Sequence, residues 1–349
     1  MRRPLVLAVA LTLNAQEPRF GAQSRLVLVP VTVTDGKGRS VDGLASNDFL
    51  VLDNGRPQKT SLDTIGTGVA PVALIVAVQA SGISEPVLEK VRKIGAMIQP
   101  LITGERGCAG VVSFSQRIDW LQECTQDPTA VARAFKRIRP GGEKSGRMLD
   151  AVYESVERLR AEPNARHVLL LISESRDRGS TRSLEEVTTA IQSAGVTVYS
   201  ATYSAMATAF TTNPRVDPEP QTVSTPVPPS PPPCASPACA ATSTGGAAQS
   251  IDFIAGIVEL ARLGKTNTTQ ALAIGSGGTC FRFTRLKGLQ DAIEKLGAEL
   301  HSQYVLSFVP EDAANGYHRL EVRVIGSEYQ VRARPGYWPV HQRGFAPAR

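Results

Sequence analysis

The chain has 349 residues, of which 42% are hydrophobic and 20% are charged, as is typical of a soluble globular protein. This length is sufficient for one large domain and one smaller domain. The formal net charge is +6, but the basic residues are scattered, without a block of lysine and arginine or interleaved aromatic residues. This distribution argues against a nucleic-acid-binding protein.

The N-terminus has the pattern of a secretory signal peptide. A charged start, Met1-Arg2-Arg3, precedes an apolar stretch from Leu5 to Leu13 and a small residue at Ala15. These features predict a signal peptide over residues 1–15 that is cleaved near Ala15. The apolar stretch is much shorter than the roughly 20 residues that a membrane span requires. We therefore expect a periplasmic or secreted protein without a membrane span.

Both ends of the mature chain have patterns of short β-strands. Near the N-terminus, residues 26–34 and 49–53 are rich in β-branched and other apolar residues, and a turn signal follows each segment. Near the C-terminus, similar patterns occur at 304–309, 319–325 and 329–333. Neither end is long enough to bury a core of its own comfortably. We therefore predict that residues 22–66 and 303–340 together form one small β-sandwich.

The region between them, residues 70–302, predicts an α/β domain. Uninterrupted apolar runs at 72–78 and 168–172 are typical of strands that are buried on both faces of a parallel sheet. Segments of helical length alternate with the strands, which predicts a mainly parallel, Rossmann-like sheet flanked by helices. The proline-rich residues 213–246 cannot form a core and predict an extended surface loop. The predicted helices cover 85–101, 128–138, 148–159, 184–193, 251–263 and 286–301.

The five cysteines suggest disulfides without determining all the pairs. Cys108 and Cys124 lie at mirror positions about residue 116, the centre of a predicted hairpin, and could face each other across it. A disulfide there is consistent with an oxidising compartment. Cys234 and Cys239 share the proline-rich loop and could close a small ring, whereas Cys280 is expected to be buried in a strand. Five unpaired thiols are the alternative, and no Cys-x-x-Cys motif indicates a zinc ribbon or a thioredoxin-like site.

Several short sequence blocks occur in this chain, and their combination and order make the resemblance described below specific. They include Val31–Asp35 and Asp53-Asn54-Gly55 in front, and Ser302–Leu306 and Val331–Tyr337 behind. With the apolar run at 72–78 between them, the chain resembles the VWFA-related domain family, known mainly from acidobacterial-type genomes. The resemblance covers most of the mature chain. It implies that the α/β region has the von Willebrand factor A fold and is inserted in the β-sandwich.

The resemblance also implies where a metal ion would bind. A von Willebrand A domain typically holds Mg²⁺ in a metal-ion-dependent adhesion site (MIDAS), with Asp-x-Ser-x-Ser after the first strand, a Thr before the third helix and an Asp after the fourth strand. Only one carboxylate and one unchanged hydroxyl remain here, although Mg²⁺ prefers six hard oxygen ligands. We therefore expect a degenerate MIDAS with no tightly bound metal and no other cofactor. The five corresponding positions are Gln79, Ser81, Ile83, Gly146 and Glu174.

Neighbouring hydroxyls leave a second interpretation open. Ser84 and Ser145 each lie next to a degenerate position, and they could restore oxygen ligands if their loops shifted. The protein would then be a metal-dependent adhesin that binds Mg²⁺. Asp150 and Asp177 also lie nearby, and we interpret Asp150 as a residue that begins or stabilises the helix after it.

The sequence has no recognisable catalytic motif. The four histidines are widely separated, which argues against a metalloprotease or a histidine-based hydrolase. Gly264-Lys265-Thr266 lacks the first glycine of a phosphate-binding loop, because Glu259 occupies that position. A hydrolase would need a nucleophile and a base that no motif identifies. We interpret the chain as an exported, non-enzymatic interaction or assembly module with a protein partner in the cell envelope or outside the cell.

Overall fold

The structure is a computed structural model, and it describes residues 26–63, 70–142, 145–162, 165–204, 267–310, 316–326 and 328–338. The predicted signal peptide, the proline-rich loop with Cys234 and Cys239, and the predicted helix at 251–263 lie outside these residues. Within the described ranges, no helix is both long and apolar enough to cross a membrane.

Apart from a 3₁₀ turn at Ser46–Asp48, strands form both ends of the described chain, and strands alternate with helices between them. The strands are β1 (Val27–Thr34), β2 (Phe49–Asp53), β3 (Arg56–Gln58), β4 (Ser61–Asp63), β5 (Val72–Gln79), β6 (Cys108–Phe114), β7 (Ile118–Thr125), β8 (Arg166–Ser173), β9 (Thr197–Thr202), β10 (Cys280–Arg282), β11 (Tyr304–Phe308), β12 (His318–Val324), β13 (Gln330–Ala333) and β14 (Gly336–Tyr337). The α-helices are α1 (Glu85–Val91), α2 (Pro128–Arg137), α3 (Met148–Arg160), α4 (Leu184–Ala194), α5 (Thr268–Ser276) and α6 (Leu286–Ser302).

A six-stranded sheet with the order β10-β9-β8-β5-β6-β7 forms the centre of the α/β domain. Its strands are parallel except for the edge strand β7, which runs antiparallel to β6. On one face, α1, α2 and α6 pack against alternate side chains of β5, and on the other face α3, α4 and α5 pack against the remaining ones. All of β5 is buried. A strand that enters two cores must be apolar on both sides, which explains the uninterrupted run at 72–78.

The two chain ends form a β-sandwich of two four-stranded sheets, ordered β13-β1-β11-β4 and β14-β12-β2-β3. β1 pairs antiparallel with β11 and β13, and β2 pairs with β12, so both ends contribute to each sheet. Inward side chains such as Val29, Val51 and Leu306 form one apolar core. The predicted fold class is confirmed: a mainly parallel von Willebrand A sheet flanked by helices is inserted in a small β-sandwich.

Glu299 of α6 joins the two domains. Its carboxylate forms an ion pair with Arg332 of β13 at 2.5 Å and accepts a hydrogen bond from the Tyr199 hydroxyl of β9 at 2.7 Å. The Thr32 hydroxyl of β1 donates a longer bond of 3.4 Å. Burial, together with the Glu299 carboxylate, raises the pKa of Tyr199, so its hydroxyl remains a donor. One carboxylate therefore contacts both the central sheet and the sandwich.

Two helical segments differ from the prediction. The helix expected over 85–101 ends at Val91, and two short turns, Gly95–Met97 and Gln99–Thr103, follow it. Glycine has a low helix propensity, and Gly95 packs directly against Phe135 of α2, where a Cβ would lie 3.0 Å away. Pro100 lacks the backbone donor that a helix continuing to residue 101 would use. The sequence pattern does not predict α5, because almost all its residues are buried and it has no polar face.

Cys108 and Cys124 form a disulfide with a Cα–Cα distance of 5.3 Å. The mirror pairing about residue 116 holds near the turn, where Val112 lies opposite Trp120. It changes before the cysteines are reached, because Ala109 lies opposite Thr125. Register shifts between Ala109 and Val112 accommodate this change, and the two cysteines face each other across the hairpin. Cys280 lies in β10 and is half-buried rather than buried.

Candidate functional site

The carboxyl edge of the central sheet brings together four of the five positions at which the resemblance predicts a degenerate MIDAS. Gln79 is the last residue of β5, and Ser81 lies in the turn that follows it. Glu174 directly follows β8, the parallel neighbour of β5, and Gly146 lies just before α3. Ligand sites of open α/β sheets occur at this edge. The backbone of Ile83 lies in the short turn Gly82–Ser84 next to them.

The amide of Gln79 occupies the centre of this site. Its Oε1 accepts a hydrogen bond from the backbone N–H of Glu174 at 3.0 Å, and its Nε2 donates to the Ser81 Oγ at 3.0 Å. The side chain is only 2% exposed. A backbone N–H can only donate, so the Glu174 bond determines which end of the amide is oxygen. The nitrogen must therefore point toward Ser81.

A chain of hydroxyl groups continues from the amide. The Oγ atoms of Ser81 and Ser84 are 3.2 Å apart, and the Tyr203 hydroxyl donates to the Ser84 Oγ at 2.7 Å. All three residues are buried. Burial raises the pKa of Tyr203, so its hydroxyl stays protonated and remains a donor. Sequence reasoning missed Tyr203, although it directly follows the strand pattern that ends at the same edge of the sheet.

Gly146 is complementary in shape to Gln79. A Cβ on residue 146 would lie 3.0 Å from the Gln79 Nε2 and 3.2 Å from its Cδ. The longer side chain at position 79 therefore uses the space that any side chain at position 146 would need. Ser145 does not join this network, because its buried Oγ has no hydrogen-bond partner within the described residues.

These residues do not fit a MIDAS metal ion. A small hard cation needs several oxygen ligands with negative charge, but the Gln79 nitrogen presents a hydrogen-bond donor and its oxygen is already bonded. Glu174 is the single carboxylate among the five positions. Among the described residues, one group of three His, Cys, Asp or Glu side chains lies close enough together to share a metal ion: Cys108, Cys124 and Glu162. The disulfide between Cys108 and Cys124 occupies both sulfur atoms of this group.

Asp150 and Asp177 hold in place the loops that surround the site, which we call its rim. Asp150 accepts backbone bonds from Thr181 and Arg182 and forms a 2.7 Å ion pair with Arg147. Burial alone would raise the pKa of Asp150, but these donors outweigh burial and lower it. Asp177 accepts the Leu149 N–H at the start of α3. Asp177 thus accepts a bond from the start of α3, and Asp150, in the first turn of that helix, also holds the loop after β8.

The comparisons with known proteins concern the fold. No protein-family model matches the chain, and a search of curated proteins finds no match. Similar solved structures include a conserved hypothetical protein, BatB, from Bacteroides thetaiotaomicron, with 14% identity and a TM-score of 0.39 over 66% of this chain and 98% of that one. An aerotolerance-related membrane protein from Bacteroides fragilis has 14% identity and a TM-score of 0.40, covering 65% of this chain and 98% of that one.

A proximal thread matrix protein from the mussel byssus, whose MIDAS motif is occupied by zinc, has 10% identity and a TM-score of 0.42 over 68% of this chain and 47% of that one. At such low similarity, nothing that these proteins bind can be transferred to this chain. The strand order and the two helical layers define the fold: this is an α/β domain with the von Willebrand A fold, inserted in a β-sandwich.

Proposed function

We propose that the chain is an exported, non-enzymatic protein-interaction module whose rim keeps its shape without a metal ion. The observation that carries the proposal is the Gln79 amide, which bonds to the backbone after β8 and to Ser81 in the turn after β5. The amide thus joins the segments that surround a MIDAS cation in this fold. It does so as a neutral group, so no compensating carboxylates are needed.

Calorimetry with Mg²⁺ and Mn²⁺ tests the metal-free rim. We expect no saturable heat and no rise in the melting temperature when either ion is added, because a ligand that binds only the folded state would raise it. The triple variant Gln79→Asp, Ile83→Ser, Gly146→Thr should acquire binding, since it restores a carboxylate and two hydroxyls. Gly146→Thr alone is the matched control and should not bind. Micromolar binding by the unmodified protein would overturn the proposal.

One observation favours the metal-dependent adhesin as a second candidate. The Ser84 Oγ lies 3.2 Å from the Ser81 Oγ, so a second hydroxyl does reach the site although the motif position itself is Ile83. Both hydroxyls are engaged in the Gln79 and Tyr203 network. A cation would have to displace the Gln79 nitrogen first. Saturable Mg²⁺ binding that is lost in Ser84→Ala would favour this candidate.

A non-enzymatic role is supported by the surroundings of the buried hydroxyls. A serine nucleophile requires a neighbouring general base, but Ser81 and Ser84 bond to an amide and to a tyrosine hydroxyl. The histidines of the described chain lie elsewhere, at the start of β8, the end of α6 and in the sandwich. Hydrolysis of generic ester or peptide substrates that disappears in Ser81→Ala would contradict this proposal.

Export and an extracytoplasmic protein partner complete the proposal. The signal-like residues 1–15 and the disulfide between Cys108 and Cys124 both suit an oxidising compartment. Cell fractionation followed by mass spectrometry should find the mature protein outside the cytoplasm, with its N-terminus near residue 16. A cytoplasmic protein that retains Met1 would overturn export.

A further inference from the structure

We infer that the rim of the site recognises a carboxylate-rich segment of a partner protein through exposed arginines. The inference rests on the proposed function and specifies the chemistry of the partner. We define the arginine rim as Arg117, Arg139 and Arg178, all of which are exposed. They lie on the loop after β6, the segment before α3 and the loop after β8.

Backbone hydrogen bonds tie these loops into one surface. The Arg147 N–H donates to the Ser115 carbonyl at 2.9 Å, and Gly146 and Arg178 exchange two backbone bonds of 3.0 and 3.1 Å. The Gly141 N–H donates to the Ala80 carbonyl at 2.6 Å. The segments that carry the arginine rim are therefore held side by side at the same edge of the sheet, around the buried Gln79.

The acidic residues of the same loops are occupied internally. Asp150 is nearly fully buried and is paired with Arg147, and Asp177 bonds to Leu149 and Ser180. The described residues of these loops therefore present the three guanidinium groups of the arginine rim together with one half-buried carboxylate, Glu174. Their exposed charge is positive on balance, and the exposed carboxylates Glu85 and Asp119 lie outside these loops, in α1 and β7.

Guanidinium groups suit carboxylates particularly well, because their planar fork donates two parallel hydrogen bonds to one carboxylate. Nucleic acid is less favoured, because single strands usually stack their bases on open aromatic rings. Tyr153, an aromatic residue of α3 near the rim, is covered by the Arg182 guanidinium at 3.5 Å from its ring centroid. A segment rich in glutamate or aspartate is the partner that this surface fits.

Fluorescence anisotropy with a labelled decaglutamate peptide tests the inference, at low and physiological salt and with a chelator present. We expect Arg117→Glu with Arg178→Glu to weaken binding by at least about tenfold, since two charge-assisted contacts become repulsive. The matched control, Arg56→Glu with Lys295→Glu, changes the net charge equally at exposed positions in β3 and α6. It should weaken binding by less than about twofold.

The Arg117→Gln, Arg178→Gln variant keeps the test valid if charge reversal disturbs folding. Equal losses in the rim and control variants would overturn the inference, because binding would then follow net charge alone. Absence of peptide binding at low salt would also overturn it, as would tighter binding of a ten-nucleotide RNA that depends on the same arginines. These outcomes leave the metal titration unaffected, so the inference can fail while the proposed function stands.

Discussion

At the end of β5, the sizes of two residues are matched across the site. Gln79 reaches farther than an aspartate would, and Gly146 leaves the space that its amide fills. The amide oxygen and nitrogen are both hydrogen-bonded, so the side chain cannot move aside without leaving a buried polar group unpaired. The pair thus behaves as one structural unit.

Gly146→Ala should destabilise the protein by about 1–3 kcal/mol, because the new Cβ would lie 3.0 Å from the Gln79 Nε2 in a closed space. Gly142→Ala is the matched control in the same loop, where a Cβ would meet no atom of the described chain within 4 Å. It should change the free energy of unfolding by less than about 0.5 kcal/mol. Urea unfolding measures both. Equal effects of the two variants would show that Gln79 does not fill the space beside Gly146.

A double-mutant cycle separates the contact from other effects of the alanine. Gln79→Ala removes the amide, so adding Gly146→Ala to it should cost less than Gly146→Ala costs alone. Strictly additive effects would mean that the two positions do not interact.

Asp150→Asn should lower stability by about 1–3 kcal/mol near pH 7, because the charged carboxylate receives bonds from Thr181, Arg182 and Arg147. The folded-state pKa of Asp150 is lowered, so its stabilising effect is complete above the unfolded pKa of about 3.9. It is lost as the pH falls through the lower folded value. The difference between wild type and variant should therefore shrink in acid. Asp119→Asn, on exposed β7, controls for the loss of one charge.

The hairpin β6–β7 shows how an element depends on both pattern and context. β6 is almost entirely buried, whereas β7 is at the edge of the sheet and partly exposed. The pairing of the two strands is irregular near the cysteines, and the disulfide closes between them. This bond fixes the outer strand to the sheet, next to α3.

Cys108→Ser with Cys124→Ser should lower the free energy of unfolding by about 3 kcal/mol, because the bond closes a loop with a sequence separation of 16. Reduction of the wild type with dithiothreitol should lower its stability to that of the double variant. The reductant should not change the variant itself. A wild type whose urea midpoint does not respond to the reductant would contradict the prediction.

For the whole molecule, Glu299 connects the α/β domain to the sandwich, and the two tryptophans of the chain report on them separately. Trp120 lies in β7, and Trp338 directly follows β14. The variants Trp338→Phe and Trp120→Phe each keep one tryptophan, whose fluorescence reports on the α/β domain or on the sandwich, respectively. We expect both variants to show the same urea midpoint. This coincidence would show one cooperative unit.

Glu299→Ala should separate the two transitions and destabilise the protein by about 1–3 kcal/mol, since Arg332 and Tyr199 lose their shared acceptor. Glu294→Ala is the matched control, because Glu294 is exposed on the same helix. It should leave the transitions coincident. Equal effects of the two variants would exclude Glu299 as the connection between the domains.

Much of the architecture follows from local sequence patterns. Apolar runs such as 72–78 predict buried parallel strands because every side chain of such a strand enters a core. The short β patterns at both ends predict a shared sandwich because neither end can bury a core alone. Since the carboxyl ends of parallel strands meet at one edge, the sequence also predicts that positions 79, 81 and 174 lie together.

Only the tertiary structure decided how those positions interact. The sequence shows a glutamine and a glycine, but their fit depends on the distance between β5 and the segment before α3. The role of Tyr203, the irregular pairing of the β6–β7 hairpin and the burial of helix α5 likewise depend on contacts between different elements. Sequence periodicity reports which side of an element faces a core, whereas packing between elements determines which atoms meet.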